Sequence, residues 1–236
     1  MPKRITYLEK RDGLAREAFR AHWSNTHAEI ARALPGVTDY RQNYLLESEL
    51  GLGAGLYRVD GIVELWFTDD DVVQAGCDSA VADRLIVDEQ EFLSGLTGGP
   101  VNAGTPHPAW PFKLWVLARW RNAADADDPA HANVEADVAA VERWADQLSG
   151  TFDGALGWGL NVLVPGADLL VRAALRREDQ IPEVAISFGF ADEAAARTAA
   201  AALTDHQPDQ AAGHLDGVRH LLTGLYARVA EELVII

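Results

Sequence analysis

The feature of the sequence that most constrains its fold is an order of predicted elements that occurs twice. The hydrophobic pattern of each half predicts the order β-α-β-β-α-β, and short segments match at equivalent places in the two halves. Tyr40–Asn43 in a predicted strand corresponds to Trp158–Asn161, and Phe67–Asp70 corresponds to Phe190–Glu193 at a strand-to-helix junction. The period is ~110 residues, and two copies are too few for a solenoid. We therefore expect a duplicated domain.

The elements of the first half follow from the spacing of its apolar residues. A long helix is expected over residues 14–34, because Phe19, Trp23 and Ile30 lie on one narrow apolar stripe at ~100° per residue. Pro35-Gly36 then ends the helix. The other predicted elements are strands at Lys3–Lys10, Val37–Leu46 and Gly61–Thr68, a second helix opened by Asp69-Asp70-Asp71, and a last strand with its turn at Val81–Phe92.

The second half repeats this order after a stretch rich in glycine and proline between Gly98 and Pro111. Its predicted elements are strands at Phe112–Trp120, Leu156–Val164 and Glu183–Phe190, helices at Asn133–Ser149 and Asp192–Leu203, and closing apolar segments in Val218–Ile236. We predict two domains, residues 1–105 and 112–236, each of the ferredoxin-like type in the α+β class. Each antiparallel sheet would have helices on one face, so packing the two uncovered faces together is the economical arrangement.

Charge narrows the choice of partners. The chain of 236 residues has a net charge of −16, which disfavours nucleic acids and anionic membrane surfaces. The first ten residues lack the apolar region of a secretory signal, and no stretch reaches the ~18 apolar residues that a membrane span needs. We expect a soluble cytoplasmic protein that binds a small-molecule substrate. It would be either a monomer with an internal pseudo-dimer or a homodimer.

Common cofactor and metal motifs do not occur. There is no dinucleotide-binding glycine motif after a strand, no P-loop, no nucleophile elbow and no H-E-x-x-H pair. The single cysteine, Cys77, excludes an intramolecular disulfide and thiolate-rich metal sites, and its neighbours predict a structural thiol. The glycines of Gly51–Gly55 are not followed by a helix pattern, and Asp69–Asp71 is expected to cap a helix. We therefore expect no metal and no cofactor.

The first helix carries the best candidates for chemistry. On its helical wheel His27 lies about 80° from Phe19, at the edge of the apolar stripe, whereas His22 lies on the opposite flank. The two histidines would be ~140° apart, which argues against a shared metal ion. A histidine at such an edge is either a packed core residue or, beside Trp23, part of an apolar pocket with polar groups. The polar side chains expected on the facing strand are Tyr40, Asn43 and Tyr44.

These residues form a recognisable pattern. The pattern is Phe19-x-x-His22-Trp23-x-x-x-His27-Ala28, then Leu34-Pro35-Gly36 and Tyr40-x-Gln42-Asn43, with Ala82-Asp83-x-x-x-x-Asp88-Glu89-x-x-Phe92 further on. Over about residues 3–95 it resembles the EthD family of the dimeric α+β barrel superfamily. The resemblance implies two ferredoxin-like sheets closed into one barrel, formed either by two chains or by this chain alone.

The second half departs from the pattern. It keeps the order of elements and the strand asparagine, Asn161, but its first helix carries Trp144 without a Trp-x-x-x-His pair. We expect this half to complete the barrel as a degenerate partner and the active site to lie in the first half.

The resemblance and the residues together indicate a cofactor-independent acid–base enzyme of the dehydratase, decarboxylase or isomerase type. Its substrate would be an apolar cyclic or aromatic molecule of the polyketide kind, as in secondary metabolism. We expect His27 as the acid or base and Tyr40 as a second catalytic group, because histidine titrates near neutral pH and a tyrosine can donate to an enolate oxygen. The predicted substrate-binding residues are His22, Trp23, Asn43, Tyr44 and Trp66.

Three other functions stay open at this point. A cofactor-free monooxygenase would use the same proton abstraction to produce a carbanion that reacts with oxygen. A ligand-binding accessory protein of a degradation or biosynthesis pathway would use the same pocket without turnover. A haem protein would need His22 or His27 as an axial ligand in a pocket that accommodates a porphyrin.

Overall fold

The computed structural model describes residues 1–47, 52–53, 56–69, 79–104, 107–121, 134–164, 169–204 and 214–236. The strands are β1 (Lys3–Lys10), β2 (Val37–Leu45), β3 (Gly61–Phe67), β4 (Leu93–Gly104), β5 (Phe112–Trp120), β6 (Ala155–Leu163), β7 (Val184–Phe190) and β8 (Leu222–Val234). The helices are α1 (Arg16–His22), a π-helical turn (Trp23–His27), α2 (Ala28–Ala31), α3 (Ala80–Phe92), α4 (Val134–Ser149) and α5 (Glu193–Thr204). None of these helices is long and apolar enough to span a bilayer.

All eight strands join in one closed antiparallel barrel, in the order β1-β3-β2-β8-β5-β7-β6-β4. The first half contributes β4-β1-β3-β2 and the second contributes β8-β5-β7-β6, so both halves have the same strand order. The two seams are the pairs β2–β8 and β4–β6. The chain is thus a tandem of ferredoxin-like halves in an α+β barrel, as the sequence predicts.

One predicted element is wrong. Val81–Phe92 is not a strand but the helix α3, whose first turn is capped by Ser79 accepting a hydrogen bond from the amide of Ala82 at 3.2 Å. The last strand of this half is instead the glycine-rich β4, in the stretch expected to be irregular. Gly98 shows why glycine is needed there, since a Cβ at this position would lie 2.5 Å from the carbonyl oxygen of Ile5. Close approach of two backbones, rather than turn formation, explains this glycine.

Some predicted features fall outside the described residues. Of the acidic run expected to open the second helix, the structure describes only Asp69. Cys77 lies outside the described ranges, and of the Gly51–Gly55 segment only residues 52 and 53 lie within them.

The inward face of the barrel carries a buried ion cluster. Glu64 on β3 accepts hydrogen bonds from the Nζ atoms of Lys3 and Lys113, each at 2.6 Å, and His107 Nε2 lies 3.2 Å away. Lys113 also pairs with Glu232 on β8. Burial opposes ionisation of Glu64, but Lys113 and Lys3 hold the pKa of its carboxyl well below the ordinary value. Because Lys113 belongs to the second half, the Glu64–Lys113 pair joins the halves across the barrel.

The outward faces of the two sheets differ in how they are covered. In the second half Val141 and Ala145 of α4 are completely buried in one apolar cluster with Phe188 and Phe190 of β7. In the first half the helix layer and the sheet enclose a cavity, described below. The two halves therefore share one strand order but differ in the layer between sheet and helices, which is closely packed in the second half and holds a cavity in the first.

We predict that replacing Glu64 by glutamine lowers the free energy of unfolding by about 3–5 kcal/mol, because Lys3 and Lys113 lose a carboxylate partner inside the barrel. Since the pKa of Glu64 is lower in the folded state, its stabilising contribution is present above about pH 4.5 and is lost as the pH falls through the folded-state pKa. Urea denaturation measured from pH 7 downward tests both statements.

The matched control is Glu193→Gln. The Glu193–Arg197 pair joins side chains that are 45% and 38% exposed, so its loss should cost less than about 1 kcal/mol. Equal costs for the two variants would contradict the role assigned to Glu64.

Candidate active site

The π-helical turn sets the positions of the two histidines. The amide of Ala28 donates to the carbonyl of Trp23, five residues earlier, and Gln42 Nε2 donates to the same carbonyl at 2.9 Å. A turn with this spacing places residues five apart on the same side of the helix. His22 and His27 are five residues apart, so they share one side. The ~140° separation expected from a regular α-helix is therefore wrong.

Both histidines contact one carboxylate. His22 Nε2 lies 2.8 Å from Oδ1 of Asp88, and His27 Nδ1 lies 2.9 Å from Oδ2. Burial disfavours the charged carboxylate, but the hydrogen bonds from His27 and His22 lower the pKa of Asp88 below its ordinary value. An ionised carboxylate only accepts hydrogen bonds, so both rings donate to it. Asp88 therefore fixes the proton of His27 on Nδ1 and leaves Nε2 as the basic nitrogen.

Phe92 fixes the planes of the two rings. This side chain is completely buried one turn after Asp88 on α3. Its ring lies 4.8 Å from the ring of His22, nearly parallel to it, and 5.0 Å from the ring of His27. The helix thus provides both the hydrogen-bond acceptor and the packing surface for the pair.

A cavity lies beside His27, between the outward face of the first sheet and the helices. Its volume is about 140 Å³, and it is partly open to solvent. Most of its wall is apolar, with leucines from β1, β3, α3 and β4. The polar residues that line it are Arg4, Thr6, His27, Tyr40, Glu89 and Arg172. A largely apolar cavity with a few polar groups is typical of a small-molecule site.

Tyr40 lines this cavity, and its hydroxyl belongs to a hydrogen-bond chain under the helices. Its oxygen accepts hydrogen bonds from Trp23 Nε1 at 3.1 Å and from Gln42 Nε2 at 2.7 Å. Burial raises the pKa of Tyr40, so the hydroxyl stays protonated. Because two donors occupy the acceptor sites of the oxygen, its hydrogen is available to a ligand.

Two predicted residues lie on the other face of the sheet. Neighbouring strand residues alternate between faces, so Asn43 points into the barrel, where it donates to Glu64 at 3.2 Å. Trp66 also lies inward, between Lys3 Nζ at 4.2 Å and the guanidinium of Arg41 at 4.6 Å from its ring centroid. The expectation that Asn43 and Trp66 join His27 around one pocket is therefore wrong.

Three other predicted residues lie near the cavity but do not line it. Trp23 is completely buried, and its ring packs edge-on against Tyr44 at 4.6 Å. Tyr44 donates its hydroxyl hydrogen to Gln42, which in turn donates to Tyr40. His22 is linked to the cavity residue His27 through Asp88 and Phe92. These side chains position the residues that a ligand would touch.

Asp88 and Glu89 belong to the family pattern, but neither they nor Arg172 are among the predicted site residues. Asp88 and Phe92 are four residues apart, a spacing that places them on one side of a helix, but this segment was predicted as a strand. Glu89 follows on the same helix, and Arg172 comes from the other half of the chain. No local pattern reveals a residue that reaches the site from so far along the sequence.

We predict that His27 has its proton on Nδ1 near neutral pH and that Asp88→Asn changes this. Asparagine can offer either its oxygen or its amide group, so the variant should populate the Nε2-protonated tautomer. Nitrogen-15 NMR of histidine-labelled protein measures the tautomer directly. Asp83→Asn, an exposed change on the same helix, should leave it unaltered. Finding the Nε2–H tautomer in the wild type would contradict the assignment.

Comparisons with known proteins agree with this architecture. The family model described as the EthD domain matches residues 11–95. No curated protein matches the chain. An anthrone oxidase-like protein of known structure has a TM-score of 0.61 and 8% identity, with 99% of this chain and 92% of that chain covered. A provisionally assigned monooxygenase from Lactobacillus acidophilus has a TM-score of 0.54 and 9% identity, with 99% and 94% covered.

At such identities the solved structures show a shared fold only. The family match covers the helix with both histidines, the strand with Tyr40 and the helix with Asp88. Residues 11–95 therefore match the EthD domain model, and this chain carries both halves of an α+β barrel on one polypeptide.

Proposed function

We propose that the protein is a cofactor-independent acid–base enzyme of the dehydratase, decarboxylase or isomerase type. Its substrate is an apolar cyclic or aromatic small molecule of the polyketide kind, within a degradation or biosynthesis pathway. The observation that carries the proposal is His27, which Asp88 holds by Nδ1 while the ring lines a mostly apolar cavity. A base needs this combination of a fixed tautomer and restricted access of water.

In a dehydration or an isomerisation the chemistry begins with proton transfer to His27. Nε2 takes a proton from the carbon next to a substrate carbonyl, Asp88 stabilises the imidazolium that forms, and the electron pair moves onto the carbonyl oxygen to form an enolate. The imidazolium then returns its proton to the departing hydroxide in a dehydration, or to another carbon in an isomerisation. In a decarboxylation CO₂ leaves, the electron pair of the broken C–C bond forms the enolate, and protonated His27 donates its proton to that carbon.

Tyr40 is the donor to the enolate oxygen. Its hydroxyl is held by Trp23 and Gln42 before a ligand arrives, so it needs no reorganisation when negative charge develops on the substrate. His27 and Tyr40 line the same cavity and supply one base and one oxyanion donor.

A cofactor-free monooxygenase is the second candidate. The observation that favours it is the shared fold with an anthrone oxidase-like protein and a provisionally assigned monooxygenase. Such an enzyme would begin with the same proton abstraction and would then transfer an electron from the carbanion to oxygen. The two candidates therefore differ in whether oxygen is consumed.

We propose a small molecule as the partner, without nucleic acid or an anionic membrane, because a net charge of −16 repels both of these polyanions. The proposed location is the cytoplasm. One chain supplies both sheets of the barrel. The enzyme would thus act as a monomer with an internal pseudo-dimer or associate further into a homodimer.

We predict that the protein catalyses exchange for deuterium of the α-hydrogens of 2-tetralone and of the acidic C10 hydrogens of anthrone, and that His27→Ala slows this exchange about 10²–10⁴-fold. The exchange reports the first step even though the natural substrate is not used. Mass spectrometry of the ketone in D₂O measures it, with and without oxygen. Oxygen uptake that accompanies the exchange would favour the monooxygenase.

His22→Ala is the matched control. It removes one of the two hydrogen bonds to Asp88 but leaves the His27–Asp88 contact, so its effect on exchange should be much smaller. A melting curve for each variant separates loss of fold from loss of rate. If His27→Ala melts early but exchanges at the wild-type rate, His27 is a packing residue. Binding of the ketones without any exchange would indicate a non-catalytic binding protein.

We also predict that Tyr40→Phe lowers the exchange rate by roughly 10²-fold, because one preorganised oxyanion donor is removed. Tyr44→Phe removes a hydroxyl from the same hydrogen-bond chain without altering the cavity wall, so it should affect the rate far less. Both variants leave a buried partner unsatisfied and should lose about 1–3 kcal/mol of stability. Equal rates for the two variants would remove Tyr40 from the mechanism.

A further inference from the structure

The second half contributes a segment to the wall of the first half's cavity. Residues 169–178, which lie between β6 and β7, run along β4 where β6 no longer pairs with it. Leu170 and Gly98 exchange two backbone hydrogen bonds of 2.7 and 3.2 Å, and the amide of Arg176 donates to the carbonyl of Ser94 at 2.8 Å. This segment, which we call the crossing segment, brings Leu170 and Arg172 into the cavity.

Glu89 binds two of the three guanidinium nitrogens of Arg172. Nε donates to one carboxylate oxygen of Glu89 at 2.5 Å, and Nη2 donates to the other at 3.1 Å. Only 16% of the arginine side chain and 5% of the glutamate side chain are exposed. Among the described residues Nη1 has no hydrogen-bond partner, so its two N–H groups can bind a ligand.

We propose that Arg172 is a specificity-determining residue and that the cavity takes an aromatic or cyclic molecule bearing a carboxylate. The inference rests on the proposed function of this same cavity and narrows its substrate class. The carboxylate accepts from Nη1 of Arg172, while the ring system packs against the apolar wall. Hydrogen bonds between charged groups are among the strongest in proteins, especially where water is excluded. The second half thus has a part in recognition besides closing the barrel.

The test compares a carboxylate with its neutral ester. N-phenyl-1-naphthylamine, an uncharged fluorescent probe of apolar cavities, is displaced either by 1-naphthoate or by methyl 1-naphthoate. For the wild type we expect 1-naphthoate to bind about 10- to 100-fold more tightly than the ester, as one charge-assisted hydrogen bond allows. Absence of this preference, or of any 1-naphthoate binding in the millimolar range, would overturn the proposal.

Variants then assign the preference to Arg172. The double variant Arg172→Met with Glu89→Gln removes both charges without leaving one unpaired, and we expect it to lose the preference while still binding the ester. Arg176→Met is the matched control, because Arg176 lies on the same crossing segment but pairs with Glu9 and Asp12 away from the cavity. A double variant that keeps the preference, or a control that loses it equally, would show that Arg172 only holds the crossing segment.

The experiment distinguishes this proposal from the proposed function. His27→Asn should lose deuterium exchange and keep the preference for 1-naphthoate, since base and carboxylate donor are separate groups. If the preference is absent while exchange by the wild type persists, only the role of Arg172 fails. If exchange is absent while the preference persists, the cavity binds aromatic carboxylates without the proposed chemistry.

Discussion

Alternation of side chains along closed strands is the constraint on which the rest of this structure depends. In a closed barrel every strand residue points either into the interior or toward the helices, and a shift of one residue would exchange the two sets. Neighbouring residues of β2 show the result: Asn43 reaches Glu64 in the interior, whereas Gln42 reaches Trp23 and Tyr40 under the helices. One strand register therefore places the ion-cluster residues inside the barrel and the cavity residues under the helices.

Much of the fold could be predicted from the sequence because most strands are β-rich segments with clear ends. β1 and β5 have the predicted bounds, and the other strands predicted in the second half differ by a residue or a few. The prediction failed at β4, because its glycines have a low strand propensity. Gly98 is nevertheless needed there, since a side chain would clash with the backbone of Ile5. Because β4 was not predicted, the fourth strand of this half was assigned to the preceding segment, Val81–Phe92, which is the helix α3.

The site was less predictable, for reasons of geometry. His27 and Tyr40 follow from residue type and from family resemblance, and both line the cavity. The wheel used for His22 assumes 3.6 residues per turn, which the π-helical turn does not obey. Asp88 and Arg172 come from distant parts of the chain, so only the folded barrel brings them to His27 and Glu89. Local sequence patterns do not contain this information.

The two halves differ in how closely their helices pack on the sheet. A cavity removes packing contacts, and a core with fewer contacts is less stable. Here the second half has Val141, Ala145 and Phe188 closely packed between helix and sheet, while the first half keeps the space open beside His27. The Glu64–Lys113 pair and the seams link the two sheets, so the packed half can stabilise the open one. Closing the barrel requires two sheets, whereas the cavity needs open space beside only one of them.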